Sequence, residues 1–178
     1  MEKIVENIKS KAGFIIDMDG VIYHGNKLLP GVVAFLKWLE ETGKSYLFLT
    51  NASQRTPKEL HEKLERLGIN VGEEHFYTSA LATAGFLASQ KPDGSAYIIG
   101  DAGLIHALYS IGYTTNNVNP DYVVVGDTSS YNFEKIEAAV NLVIKGARLI
   151  GTNPDVSGPV ETGISPSDKA LIAPIEIA

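Results

Sequence analysis

The sequence contains no cysteine, which excludes disulfides and thiolate metal sites. It has no cluster of lysine and arginine, and its formal net charge is −6, which argues against a nucleic-acid or anionic-membrane partner. No apolar run reaches the roughly 18 residues that a membrane-spanning helix needs. Residues 1–13 mix charged and apolar side chains, unlike a secretory signal. These absences predict a soluble cytoplasmic protein that binds neither nucleic acid nor membrane.

The sequence does contain short apolar runs that alternate with amphipathic segments. The runs at residues 14–16, 46–49 and 76–78 predict strands, the first of them buried on both faces. Helices are predicted from Pro30 to Gly43, from a capping box at Thr56 and Glu59 to Gly68, and over residues 79–90. Strands joined by helical crossovers predict a parallel sheet with helices on its faces.

A second alternating series follows a turn at residues 91–94. It predicts strands at residues 97–99, 122–125 and 149–150, separated by helices, then a loop over 152–166 and an apolar helix over 170–178. We therefore predict an α/β fold in three parts. Residues 1–91 form the first part of a Rossmann-like core, residues 92–166 an inserted α/β cap, and residues 167–178 the start of the return to the core.

Two carboxylates stand at the end of the first strand, at Asp17 and Asp19. Side chains at positions i and i+2 of an extended chain point to the same side, so both acids face the crevice above the sheet, where α/β folds bind ligands. Adjacent carboxylates repel unless a cation or proton lies between them, and Mg²⁺ with its preference for oxygen is a natural partner. Gly20 allows the chain to turn sharply after the acids.

This acidic segment has two other interpretations. An Asp-Met-Asp-Gly string is also common in surface turns. It opens like a calcium-binding loop as well, but Val21, Ile22 and Leu28 occupy positions where such a loop needs an oxygen ligand, a glycine and a glutamate, respectively. A calcium-binding loop is therefore excluded. Only the pattern of the rest of the sequence argues against a simple surface turn.

That wider pattern resembles the haloacid dehalogenase superfamily. Residues 14–20 are similar to its first motif, an apolar strand followed by Asp-x-Asp-Gly, and residues 47–51 are similar to its second, a strand that ends in threonine or serine. The strings at 78–84 and 151–155 also match, so the resemblance covers nearly the whole chain. It is strongest to the branch of p-nitrophenyl phosphatases and nucleotide monophosphatases, which carry a large α/β cap.

The resemblance implies a mechanism and a set of site residues. Asp17 would be the nucleophile that forms an aspartyl-phosphate, and Asp19 the general acid and base. Asp17 and the backbone carbonyl of Asp19 would hold Mg²⁺. Thr50, with backbone groups around Met18, Asp19 and Gly20, would bind the phosphoryl oxygens. The second acid favours a phosphatase over a dehalogenase or transport ATPase, and the substrate would be a small phosphorylated metabolite such as a sugar phosphate or nucleotide monophosphate.

Three further polar residues could either line the site or serve a purely structural role. Asn51 either lines the site beside Thr50 or serves a turn. Asn153 and Asp155 lie on the loop that faces the substrate in relatives, although Asn-Pro-Asp is also a good turn sequence. Asp127 ends an apolar run like the family's late acidic motif, but its position matches a strand of the cap, and we assign it there.

Parts of the family pattern have no counterpart. The late lysine and the late Gly-Asp motif are absent, and residues 166–172 depart from the Pro-Gly-x-Gly-Ala-Leu-Ile of relatives. Without the missing strands, residues 14–16 form an unpaired apolar edge, so we expect a fragment, or cover by another chain, as in a homodimer. The alternative function is a non-catalytic or impaired interaction module.

Overall fold

The computed structural model describes residues 2–160 and 162–178. Its first half contains, in order, α1 (Glu2–Lys9), β1 (Gly13–Asp17), β2 (Tyr23–His24), β3 (Lys27–Leu28), α2 (Val32–Glu41), β4 (Ser45–Thr50), α3 (Pro57–Arg66), a 3-10 turn (Glu73–His75), β5 (Phe76–Thr78) and α4 (Ser79–Gln90). Its second half contains β6 (Ser95–Ile99), α5 (Ala102–Ser110), β7 (Thr114–Thr115), β8 (Tyr122–Val125), α6 (Phe133–Ile144), β9 (Arg148–Gly151), β10 (Ser157–Val160), β11 (Gly163–Pro166) and α7 (Asp168–Ile177).

The first sheet has three parallel strands in the order β1-β4-β5. Its buried face presents Ile16, Phe48 and Phe76, which pack with leucines of α2 and α3, and Phe48 stacks on Phe76 with ring centroids 5.3 Å apart. The capping box at Thr56 opens α3 as predicted, with the hydroxyl accepting a hydrogen bond from the Glu59 amide at 3.2 Å.

The opposite face of this sheet corrects one prediction. Residues 14–16 were expected to be buried on both faces, but Ile15 is 74% exposed, and Leu49 and Tyr77 are exposed on the same side. The reason is that α2 and α3 pack on a single face and that β1 pairs only with β4 within the described residues. The predicted apolar edge at β1 is therefore present.

The second sheet has four parallel strands in the order β7-β6-β8-β9. Its central strand β8 is buried throughout, because α4 and α5 pack against one face and α6 and α7 against the other. This arrangement explains the uninterrupted apolar run in β8. The parallel strands and their helices confirm the predicted α/β class, whereas the division into residues 1–91, 92–166 and 167–178 stays a prediction.

Two short hairpins were not predicted. Strands β2 and β3 pair around Gly25, whose φ of 57° lies in the left-handed region. Strands β10 and β11 pair in antiparallel fashion, with Val160 opposite Gly163, where only a loop was expected. Gly163 has a φ of 134°, which glycine adopts readily, so the glycine and proline content of this stretch marks a hairpin as well as it marks a loop.

Helices α2 and α3 pack on the first sheet, and α4 to α7 pack on the second. None of those in residues 2–160 and 162–178 combines the length and the apolar character that a membrane crossing requires. The carboxyl ends of β1, β4, β8 and β9 lead into loops that share contacts, and those loops carry the polar residues described next.

Candidate active site

Asp17 and Asp19 stand on either side of a buried anchor. Asp17 is the last residue of β1, and both acids are exposed, whereas the Met18 side chain between them is fully buried in the core. The Met18 amide donates to Asp17 Oδ1 at 2.8 Å. Gly20 has a φ of 80°, as the predicted sharp turn requires. The two carboxylates therefore leave the sheet together, on the same side.

The surroundings of Asp19 favour its protonated form. Although the residue is exposed in part, desolvation of its carboxylate raises the pKa of Asp19, and the negative charge of Asp17 adds to the rise, against the opposing effects of the Lys63 and Arg55 cations. The neighbouring Tyr23 hydroxyl, whose own pKa is raised mainly by burial, opposes the rise and lowers the pKa of Asp19. A carboxyl that holds a proton more readily than usual can serve as a general acid.

Thr50 and Asn51 follow at the end of β4, the strand beside β1. Thr50 is buried, and its hydroxyl oxygen accepts from the Ala52 amide at 3.1 Å, which leaves the hydroxyl proton available as a donor. Asn51 is exposed, and its side-chain amide donates to Asp155 at 2.8 Å. The backbone carbonyl of Asn51 accepts from the Ser79 hydroxyl at 2.7 Å.

The loop after β9 reaches across to Asn51. The Asn153 side chain is buried and donates to the Asn51 carbonyl at 3.1 Å, while its Oδ1 accepts from the Asp155 amide at 2.8 Å. The Asn-Pro-Asp turn and the contact with Asn51 are therefore both present. These bonds join the first sheet to the second directly beside Thr50.

A cavity of about 380 Å³ opens where these loops meet. Six of the residues selected from the sequence line it, namely Asp17, Asp19, Thr50, Asn51, Asn153 and Asp155. The two others do not. Met18 is buried and its amide is bonded to Asp17, and Gly20 lines a smaller neighbouring cavity together with Asp19. The β10–β11 hairpin forms much of the remaining wall.

Two further charged residues line this cavity: Arg55, which sequence reasoning missed, and Asp127, which it considered and assigned to a strand of the cap. Asp127 follows β8 in the second sheet, as assigned, but its side chain still reaches the wall shared with Asp17. Its amide donates to the Ser53 hydroxyl oxygen at 2.8 Å, and its carboxylate accepts from Ser167 at 3.0 Å. Arg55 and Asp127 both lie in loops that follow the carboxyl end of a strand, and this position in the sequence could have identified them.

A third missed residue, Asp168, lies behind the cavity and is fully buried. Its Oδ2 accepts from the Thr152 hydroxyl and from the Asn153 amide, the latter at 3.0 Å, whereas its Oδ1 has no hydrogen-bond partner in the part of the chain that the structure describes. Burial raises the pKa of Asp168 to about 8, and the adjacent Asp127 carboxylate adds to this against the lowering effect of the Thr152 bond. Asp168 therefore acts as a neutral acid that supports the Asn153 loop.

The donors at Asp17 and Asp19 suit a small divalent cation. Within residues 2–160 and 162–178, no group of three or more His, Cys, Asp or Glu side chains is arranged to hold a metal. Mg²⁺, however, keeps several waters and is often held by one or two protein carboxylates. The exposed acid pair, in which the Asp17 charge disfavours ionisation of Asp19, fits such an ion.

Residues 14–114 match the haloacid dehalogenase-like hydrolase family. The chain is 42% identical over 165 residues to the dihydroxyacetone phosphatase of Corynebacterium glutamicum (strain R), covering 93% of this chain and 60% of that protein. It is 43% identical over 162 residues to the ribonucleotide monophosphatase NagD of Escherichia coli (strain K12), covering 91% of this chain and 63% of NagD. This chain belongs to the haloacid dehalogenase-like hydrolase family.

Solved structures of the haloacid dehalogenase-like family share the fold. The structure of Escherichia coli NagD aligns with a TM-score of 0.85 at 42% identity, covering 93% of this chain and 65% of NagD. A glycerol phosphate phosphatase from Mycobacterium tuberculosis, determined in complex with magnesium, aligns with a TM-score of 0.86 at 26% identity, covering 93% of this chain and 51% of that protein. The predicted family and its NagD-like branch are thereby confirmed. The chain spans 60% and 63% of the two curated relatives above.

Proposed function

We propose that this chain carries the catalytic acids of a Mg²⁺-dependent phosphatase that hydrolyses small phosphomonoesters through an aspartyl-phosphate on Asp17. The observation that carries the proposal is the meeting of Asp17, Asp19 and Thr50 in one polar cavity. The names of the relatives agree with it, since they include a dihydroxyacetone phosphatase, a ribonucleotide monophosphatase and an acid sugar phosphatase.

In the first step, a carboxylate oxygen of Asp17 attacks phosphorus, and the bond between phosphorus and the ester oxygen breaks. Asp19 gives its proton to the departing oxygen, so that an alcohol leaves. In the second step, Asp19 takes a proton from a water molecule, whose oxygen attacks phosphorus and releases Asp17 and inorganic phosphate. The raised pKa of Asp19 suits it to the first of these roles.

The phosphoryl oxygens need donors that are in position before the reaction. The Thr50 hydroxyl is free to donate because its oxygen already accepts from Ala52. The Met18 amide is bonded to Asp17, so it orients the nucleophile in the free protein and becomes available to phosphate when Asp17 moves to attack. Asn51 is bonded to Asp155 and shapes the wall on the substrate side.

Mg²⁺ would be held by the Asp17 carboxylate and the Asp19 backbone carbonyl, where it would neutralise negative charge on the transferring group. The magnesium complex of the Mycobacterium tuberculosis phosphatase supports this choice of ion. Among the described residues, no lysine lines the cavity, and Lys169 forms an ion pair with Glu176 at 2.6 Å. Positive charge from this chain would therefore come from Arg55.

The test is hydrolysis of p-nitrophenyl phosphate by the purified 178-residue chain, with magnesium and with a chelator. Asp17→Asn should abolish turnover because the nucleophile is lost. Thr50→Ala should lower turnover by about 10²- to 10³-fold, as for removal of one preorganised donor. Wild-type turnover in Asp17→Asn would refute the proposal. A wild-type chain that binds phosphate without hydrolysing the ester would instead establish the non-catalytic module.

A further inference from the structure

A second cavity, of about 320 Å³, lies beside the proposed catalytic one. Three cationic side chains, one amide and one leucine line it, and none of the carboxylates in residues 2–160 and 162–178 does. The lining residues are Asn26, Arg55, Lys63, Arg66 and Leu67. Arg55 lines both cavities, so the two spaces adjoin. The chain has a net charge of −6, so three cations around one opening form a positively charged region on a negatively charged protein.

These cations are not neutralised by neighbours. Among the residues that the structure describes, no carboxylate comes within the 4.0 Å of an ion pair with Arg55, Lys63 or Arg66. Asp19 is close enough to act on Lys63 electrostatically, but without such a contact. Exposed arginine and lysine commonly reach a nearby acid, so three unpaired cations facing one space leave a positive potential in it.

Lys63 is held at a defined place in this group. Its ammonium lies 3.4 Å from the centroid of the buried Tyr23 ring, and the residue is half-buried. Burial lowers its pKa, and the Arg55 and Arg66 cations lower it further. Mutual repulsion of this kind is relieved when an anion binds among the three groups.

The position of Arg55 is also fixed by the fold. The amide of Gly103, in α5, donates to the Gln54 carbonyl at 2.9 Å. A Cβ atom at position 103 would lie 2.6 Å from the carbonyl carbon of Arg55, so glycine allows α5 to approach this loop. The backbone of the loop that carries Arg55 is therefore held in place by its contact with α5.

We propose that Arg55, Lys63 and Arg66, with the Asn26 amide, form a binding site for one phosphate-type anion next to the catalytic cavity. Guanidinium groups offer paired donors that match phosphate oxygens, Lys63 supplies a point charge, and Asn26 a neutral donor. The anion has two sources with the same chemistry. It is either a second phosphate group on a ligand bound at Asp17, which would rest on the proposed function, or a free phosphate ion.

Removal of charge away from the catalytic cavity tests the site. In the double variant Lys63→Met and Arg66→Gln, long side chains are kept while both charges are lost. Lys58→Met is the matched control, because Lys58 is an exposed cation on the same helix that lines neither cavity. Circular dichroism of each variant establishes that α3 is intact.

Calorimetric titration with inorganic phosphate, without magnesium, should show two ions bound per wild-type chain and two per Lys58→Met chain. The double variant should bind one ion, with the other site weakened by at least about tenfold for each cation removed. Thr50→Ala should retain the ion at Lys63. If the catalytic cavity binds no phosphate, the wild-type count falls to one and the double variant to zero, which still supports the site. An unchanged count and affinity in the double variant overturns it.

A second titration distinguishes the sources. If the site takes the second phosphate of one ligand, fructose 1,6-bisphosphate binds with one molecule per chain and about tenfold tighter than fructose 6-phosphate, and the double variant loses that advantage. If the two sugars bind alike while inorganic phosphate still distinguishes the variants, the site serves the free ion. Neither titration depends on turnover, so both can be interpreted even if the chain does not hydrolyse phosphomonoesters.

Discussion

Replacement of Asp168 by asparagine should stabilise the protein at neutral pH and flatten its stability profile. Asparagine has the same shape, its carbonyl can accept from Thr152 and Asn153 as Oδ2 does now, and its amide can donate toward Asp127. It differs from the acid in one respect, which is that it cannot ionise. The substitution therefore isolates the cost of burying an ionisable group.

The size and sign of the effect follow from the raised pKa. The folded chain keeps the Asp168 proton up to about pH 8, whereas the unfolded chain releases it above its ordinary pKa of 3.8. Between these values the unfolded state binds fewer protons, so wild-type stability falls as the pH rises. The loss is about 1.4 kcal/mol for each pH unit. From pH 5 to pH 7, Asp168→Asn should thus gain roughly 2–3 kcal/mol over the wild type.

Urea unfolding followed by circular dichroism at pH 5, 6 and 7 measures this difference. Asp168→Ala should lose about 1–3 kcal/mol for each donor left unpaired at Thr152 and Asn153, which separates the hydrogen bonds from the charge. Glu134→Gln removes an exposed carboxyl from α6 and should keep the wild-type slope. Equal slopes for the wild type and Asp168→Asn would refute the reasoning.

Three further predictions concern packing, chain division and association. Gly103→Ala should destabilise the chain by about 1–3 kcal/mol in urea unfolding, because its Cβ would lie 2.5 Å from a carbonyl oxygen of the loop after β4. Gly85→Ala, in α4 with open space around it, should instead stabilise by about 0.5–1 kcal/mol; a similar loss in both would contradict the packing argument. Limited proteolysis should cut near Lys91 or after Asp155, and cleavage mainly within α6 would contradict the predicted division. Ile15→Lys should reduce self-association in sedimentation velocity, because Ile15 is a 74% exposed apolar side chain on an edge strand; an unchanged monomer in both proteins would count against that edge.

Local patterns in the sequence predicted much of the fold. The capping box at Thr56 needs only its own four residues, and it formed as expected. The apolar run at residues 122–125 was predicted as a strand and formed β8, and the structure shows that helices cover both of its faces. The run at Phe14–Ile16 looks the same in sequence but lies at a sheet edge. Such a run reports that a strand is apolar and does not report how many neighbours it has.

The candidate site was predictable where it follows strand ends. Asp17 and Asp19 could be placed in the crevice above the sheet because ligands of α/β folds bind at the carboxyl ends of the strands, and Thr50 was added to them by the family resemblance. Asp168 could not be found in this way. Its importance arises from burial beside Asp127, 41 positions earlier in the sequence, and burial of a carboxyl depends on tertiary packing that no local pattern encodes.

Because β1 lies at the edge of its sheet, the geometry at Asp17 rests on the buried Met18 side chain and on a single ladder of hydrogen bonds. Within the described residues, β1 is bonded to β4 alone, with Asp17 opposite Leu49. Strand β4 is in turn held by the stacking of Phe48 on Phe76. If Phe48 and Phe76 separate, β4 moves, and the ladder that holds the end of β1 is weakened. Fluctuations of the carboxylate at Asp17 should therefore report on the integrity of a hydrophobic core that the carboxylate itself never touches.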